Sequence, residues 1–200
     1  MFSPGIALFI GLRGRSNYMW FYLFLGSLTE LVGFFLKHRF VWHYEFVSNI
    51  YISCEIVFYM TFFFNNLFNK KYKKIIILII VLWQSLFWIS TFIQPIFVMN
   101  TSALGLNCLV YTFLAMLVYR HILIQQEYDR LSMNPIFWIN TGIFLCSSGG
   151  CLFFLLLERV LAEDTQFLIT LWTTFYCIIN MLRYAFIGIG LNRLARNERI

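Results

Sequence analysis

Long apolar runs separated by short polar segments dominate this sequence. A helix needs roughly 20 apolar residues to cross a bilayer, and six runs meet or approach that length: 18–36, 46–68, 75–93, 103–119, 135–157 and 167–191. A further apolar run, 2–12, would span about half a bilayer at roughly 1.5 Å per residue. The pattern predicts an all-α fold, a polytopic transmembrane helix bundle of six to seven spans, as a single domain over residues 1–200.

Polar and proline positions predict where these helices begin and end. Gln94-Pro95 closes or kinks the third long run, and Pro135 suits the first turn of the fifth. The fourth run is closed by Arg120-His121, although its helix could continue to Gln125, and a loop is predicted over 125–134. We expect the fifth helix to end at Leu157, before Glu158-Arg159, and a polar tail over 192–200 to follow the last helix.

Composition strengthens the membrane interpretation. The chain is 60% hydrophobic, 20% aromatic and only 12% charged, whereas soluble domains carry roughly 25% charged residues. The mean hydropathy is +0.75. We therefore expect lipid to cover much of the surface. No basic segment precedes the first apolar run, so we expect no cleaved signal peptide.

Charge distribution predicts orientation. The net charge is +6, but the basic residues lie in short groups between apolar runs, without the basic stripe that binds nucleic acid. Loop 94–102 is uncharged and loop 158–164 is net acidic, as expected outside the cell, whereas basic clusters favour the cytoplasm. The predicted cytoplasmic clusters are Lys70, Lys71, Lys73, Lys74, Arg193, Arg196 and Arg199. This places the protein in the cytoplasmic (inner) membrane with its C-terminus inside; the N-terminus is outside if 2–12 spans and inside if it does not.

Glu55 is an ionisable group near the middle of the second long run. A carboxylate at that depth costs at least a few kcal/mol, so it usually faces other helices and often marks function. Tyr51 and Tyr59 lie four residues to either side, on the same helical face, and a phenol can donate a hydrogen bond to a carboxylate. We predict an intramembrane polar site around Glu55.

Two more charged residues belong to this predicted site. Glu30 shares a face with Gly26, Ser27 and Gly33, a combination that suits close helix packing. Arg183 lies near the predicted cytoplasmic interface, where it could snorkel toward water. Because helical side chains lean toward the N-terminus, Arg183 could instead pair with Glu55 or Glu30 inside the bilayer.

Two asparagines complete the predicted polar site. Asn140 and Asn180 lie within the last two runs, as interhelical hydrogen-bonding groups or as members of the site.

Other kinds of site find less support in the sequence. The five cysteines form no C-x-x-C pair, so we expect packing roles and no metal. No nucleotide-binding motif is present, since Gly188 and Gly190 lack a strand–helix context, and we expect no cofactor and no catalytic residue. No lysine lies inside a span, which excludes a retinal-type Schiff base.

Four segments carry a resemblance to a known family: 28–33 (LTELVG), 48–51 (SNIY), 134–140 (NPIFWIN) and 180–190. With them the chain resembles a family of small bacterial seven-helix membrane proteins and the membrane-sensor halves of some two-component histidine kinases. The resemblance implies a sensory or signalling module. Because the sequence shows no kinase domain, any output is expected to pass through a partner protein or a homo-oligomer.

Three functional classes remain open. The first is a sensory or accessory module without intrinsic chemistry. The second is an oligomeric channel or transporter, and the size also suits membrane components of prokaryotic antiviral systems. The third is a lipid-modifying enzyme, for which the only candidate acid/base groups are loop carboxylates: Glu127, Asp129, Glu163 and Asp164.

Overall fold

The described part of the protein is helical. The computed structural model describes residues 21–29, 44–67, 73–93, 101–125, 131–161 and 177–197, together with positions 32, 170 and 174–175, and contains no strand within them. Helix α1 is described over 21–29. The other five helices are α2 (Tyr44–Leu67), α3 (Lys73–Ile93), α4 (Thr101–Gln125), α5 (Pro135–Leu161) and α6 (Cys177–Asn197). The predicted all-α class is thus confirmed for these ranges; run 2–12 and loop 94–100 lie outside them.

Some helix ends agree with the predicted ones and others lie beyond them. Helix α4 does continue to Gln125, and α5 continues past the predicted end to Leu161. The segment predicted as a loop before α5 contains a short 3-10 turn, Leu131–Met133. Asn134 closes that turn through its backbone N–H, which donates to the Leu131 carbonyl at 3.1 Å. Its side-chain Oδ1 accepts from the N–H of Ile136 at 2.8 Å, which caps α5.

The polar segment after Leu191 is helical as far as it is described, since α6 continues beyond the predicted end of the last apolar run to Asn197. Leu191 and Ala195 are buried, so packing supports the last turns. The guanidinium of Arg193 lies 5.5 Å from the centre of the Trp138 ring on α5, a cation–π distance. Contacts with α5 therefore stabilise a helical end that its polar sequence alone does not predict.

Two stretches are long and apolar enough to cross a membrane by length and composition: Val47–Leu67 in α2 and Ala103–Gln125 in α4. Helix α3 contributes a shorter apolar stretch, Ile77–Ile93. These are the spans found among the described residues, and they are compatible with membrane association.

Helix α5 is the centre of the packing. It packs extensively against α4 and α6, while α2 packs less extensively against α3 and α4. Glycines allow the close approach of α5 and α6: a Cβ on Gly142 would lie 2.7 Å from the backbone oxygen of Arg183, and one on Gly190 would lie 2.8 Å from the oxygen of Pro135. Backbone contact with α5 thus fixes the position of Arg183.

Candidate functional site

Side chains from three helices meet at the candidate site. Helix α2 contributes Glu55 with Tyr51 and Tyr59, one turn to either side, α1 contributes Tyr22, and α6 contributes Arg183 and Tyr184. The spacing of four residues on α2 puts its three members on one face. We call these six residues the ion-pair cluster.

A buried ion pair lies at the centre of the cluster. The Nη1 of Arg183 donates to Oε1 of Glu55 and to the Tyr59 hydroxyl at 3.2 Å. Its Nη2 donates to the hydroxyls of Tyr184 at 2.9 Å and Tyr51 at 3.5 Å. Arg183 is 3% exposed, so the structure shows the interior pair with Glu55 rather than a snorkelling arginine. Removing either partner would leave an uncompensated buried charge.

The tyrosine hydroxyls supply polar surroundings for both charges. Tyr22 donates to Oε1 of Glu55 at 3.1 Å and shares a hydrogen bond with Tyr59 at 2.8 Å. Tyr51 shares one with Tyr184 at 2.7 Å and donates to Tyr22 at 3.2 Å. The guanidinium carbon of Arg183 also lies 4.6 Å from the centre of the Tyr184 ring. The hydroxyls therefore form a connected network that includes both ions.

A glycine on α1 makes room for this network. A Cβ on Gly26 would lie 3.1 Å from the Tyr184 hydroxyl and 3.5 Å from that of Tyr51. The packing role expected for Gly26 thus takes the form of close contact between α1 and the cluster.

A small cavity adjoins the ion pair. Its volume is about 30 Å³. Glu55, Tyr59 and Arg183 form one side of its wall. The other side comes from α4 and α5, and its residues are Leu104, Asn107, Cys108, Tyr111, Cys146, Ser147 and Phe154, with Ile52 from α2.

A second group of polar contacts ties α3 to its neighbours. The indole N–H of Trp83 donates to Oδ1 of Asn107 at 2.7 Å. On α2, the hydroxyl of Ser53 accepts from Gln84 and from the indole of Trp88 at 3.1 Å. These contacts are interhelical hydrogen bonds of the kind expected where polar residues face other helices.

The remaining predicted site residues lie elsewhere or outside the described ranges. Glu30 is outside them. Asn140 donates to the Ala115 carbonyl at 3.0 Å, so it joins α5 to α4 and has no bond to the ion pair. Asn180 accepts from Sγ of Cys146 at 3.7 Å, which places it beside the cavity wall and outside the cluster's hydrogen bonds.

The basic clusters are only partly described. Lys74 and Arg196 are exposed and Arg193 is half-buried. Lys73 begins α3. Lys70, Lys71 and Arg199 lie outside the described ranges, as do the four loop carboxylates considered for an enzyme.

Sequence reasoning missed Tyr22, Tyr184, Tyr111 and Cys146 as members of this region. Tyr184 follows Arg183 directly, and a phenol next to an arginine within an apolar run was a usable signal. Tyr22 is 33 residues from Glu55, and no local spacing relates the two. Within the described ranges no group of metal-binding side chains occurs, and the five cysteines are free thiols.

Together these features define a helical protein with an ion pair solvated by tyrosines in its interior. No family model matches the chain, and neither a curated protein nor a solved structure matches it.

Proposed function

We propose that this chain is a multi-pass protein of the cytoplasmic membrane, built from six to seven spans, that acts as a sensory or accessory module for a partner protein. In this proposal the Arg183–Glu55 pair holds one arrangement of the helices, and its separation permits another. The observation that carries the proposal is the burial of this pair among four tyrosine hydroxyls between helices α1, α2 and α6.

The distribution of polar and apolar side chains supports lipid as the surrounding solvent. One face of α3 exposes large apolar side chains, among them Leu78, Leu82 and Phe92. Buried positions instead include polar and charged groups such as Asn107 and Arg183. A contiguous exposed apolar surface of this kind is a liability in water, whereas in a bilayer it matches the solvent.

The ends of the helices support the proposed orientation. Lys74 is exposed in the first turn of α3, and Arg196 is exposed in the last turn of α6. Basic residues at span ends favour the cytoplasmic side, so both of these ends are proposed to lie there.

The packing explains how separation of the pair would reach the cytoplasmic side. Among the described helices, α6 packs its backbone extensively on α5 and has no comparable packing on α2. Long side chains of the ion-pair cluster therefore bridge α2 and α6. From Arg183, α6 continues unbroken for about 20 Å to Asn197, so a tilt at the pair would displace its cytoplasmic end. The resemblance to membrane-sensor segments agrees with this role.

The small size of the cavity beside the ion pair argues against a transport route through that cavity. A volume of about 30 Å³ holds a water or two, which is less than a hydrated ion or an organic substrate needs. A channel, including one that belongs to an antiviral system, remains the main alternative.

The proposal can be tested by a distance measurement. Spin labels introduced as noncanonical residues at Asn65 and Arg196, both exposed, would report the separation of α2 and α6 in lipid nanodiscs. We expect Glu55→Gln, which removes the negative charge while keeping the shape, to shift or broaden the distance distribution. Lys74→Gln removes an exposed charge outside the cluster and serves as the matched control, for which an unchanged distribution is expected.

Identical distributions for wild type and a folded Glu55→Gln protein would refute the switching role. Ion flux in liposomes provides the second measurement. We expect no flux from the wild-type protein; a flux that Glu55→Gln abolishes would instead establish the channel, and lipid turnover by the purified protein would establish an enzyme.

A further inference from the structure

The cavity beside the ion pair has a polar wall on α4. Leu104, Asn107, Cys108 and Tyr111 line it, and their spacing of three and four residues places them on one face of the helix. Tyr111 is 4% exposed and Asn107 is 3% exposed. Both side chains are thus removed from the surroundings of the protein and directed toward its interior.

Several buried polar atoms around this cavity have no hydrogen-bond partner among the described residues. They are the Tyr111 hydroxyl, Nδ2 of Asn107 and Nε of Arg183. The orientation of the Asn107 amide is fixed, because an indole N–H can only donate and Trp83 donates to its Oδ1. Nδ2 therefore carries donors that no described group accepts.

We infer that the cavity is a binding site for one or two water molecules that connect the Glu55–Arg183 pair to Tyr111 and Asn107. A buried polar group without a hydrogen-bond partner is destabilising, so three of them around one cavity strongly favour an occupant that hydrogen-bonds. This inference rests on the geometry of the site and is independent of any signalling role.

Size and chemistry identify the occupant as water. A bound water needs a cavity volume of about 10–15 Å³ and two to four polar partners. The volume of this cavity is about 30 Å³. Nδ2 of Asn107 and Nε of Arg183 only donate, whereas the Tyr111 hydroxyl donates or accepts. A water accepts from the first two and donates to the hydroxyl or to the carboxylate of Glu55, so it satisfies both kinds of group.

Bound water would join two polar regions that are otherwise separate in the described structure. The ion-pair cluster connects α1, α2 and α6, and the Trp83–Asn107 hydrogen bond connects α3 and α4. Through the cavity the polar interior becomes continuous from Arg183 to Trp83, so α4 is coupled to the state of the ion pair.

The substitution Tyr111→Phe tests the inference, because it removes only the hydroxyl. If water binds that hydroxyl, the substitution breaks a hydrogen bond, and the melting temperature in detergent should fall by about 2–4 °C. Tyr119→Phe is the matched control: its hydroxyl donates directly to Thr141 at 2.8 Å, so it calibrates the loss of one hydrogen bond. An unchanged or raised melting temperature for Tyr111→Phe would overturn the inference. In a dry cavity the hydroxyl has no hydrogen-bond partner and destabilises the folded protein, so its removal would be neutral or stabilising.

A map of the wild-type protein at a resolution that shows waters provides the second measurement and requires no variant. We expect one or two compact peaks within hydrogen-bonding distance of the Tyr111 hydroxyl and Asn107 Nδ2. An empty cavity, or density larger than water, would overturn the inference.

Discussion

Replacing one partner of the ion pair should destabilise the folded protein far more than replacing both partners. With Arg183→Leu, Glu55 keeps the Tyr22 hydroxyl as its donor among the described residues and loses its counter-charge. An unpaired buried charge of this kind destabilises by about 3–5 kcal/mol. For a protein of this size, about 2–4 °C of melting temperature corresponds to each kcal/mol, so a loss of roughly 6–20 °C is expected.

The double substitution Glu55→Leu with Arg183→Leu should recover most of that loss. It removes both charges, and buried pairs replaced by apolar residues often leave stability unchanged or improved. The hydroxyls that surrounded the ions retain each other, through the Tyr22–Tyr59 bond at 2.8 Å and the Tyr51–Tyr184 bond at 2.7 Å. We expect a coupling free energy of about 3 kcal/mol or more, well above the roughly 0.5 kcal/mol within which independent sites add.

Reversible unfolding in mixed micelles, applied to wild type, both single variants and the double variant, measures this coupling. Arg193→Leu serves as a control, since the stacking of Arg193 on Trp138 is worth about 1 kcal/mol or less at a partly exposed site. If the two single losses simply add in the double variant, Arg183 and Glu55 do not stabilise each other, and the explanation of how α6 is held against α2 is wrong.

The glycine contacts give two further predictions, both measured as melting temperatures in detergent. Gly26→Val should lower stability by about 1–3 kcal/mol, because a Cβ there would already lie 3.1 Å from the Tyr184 hydroxyl. A loss of stability no larger than that of a substitution at an exposed position, such as Ser85→Ala, would contradict this prediction. Gly142→Ala should cost at least as much, since its Cβ would lie 2.7 Å from the backbone oxygen of Arg183, which cannot rotate away; a neutral outcome would show that α5 and α6 are not in close contact.

Run length predicted the helices well, because the number of consecutive apolar residues is a local property of the chain. The pattern placed α2, α3 and α4 within two residues of their observed starts. The ends were harder to predict where a long-range contact decides them. Helix α6 continues past Leu191 because its last turns pack on α5. The local sequence, which is polar and contains arginines, does not predict that contact.

The candidate site divides in the same way. Helical spacing put Tyr51, Glu55 and Tyr59 on one face, and the lean of helical side chains favoured an inward Arg183. The choice between Glu55 and Glu30 as the partner of Arg183 required the packing of distant helices. The structure shows that Arg183 pairs with Glu55, 128 residues away, while the role of Glu30 stays a prediction.

The tyrosines determine what kind of ion pair this is. In hydrocarbon alone, separating a guanidinium from a carboxylate would expose both to a medium that solvates neither. Here three hydroxyls accept from Arg183, and Tyr22 donates to Glu55. Because a hydroxyl both donates and accepts, each can keep one ion partnered, or re-pair with another hydroxyl, as the ions move apart. The cluster therefore lowers the free energy of the separated state relative to an ion pair in hydrocarbon. Since a two-state helix module needs a second state within a few kcal/mol of the first, this solvation is the property on which the proposed switching depends.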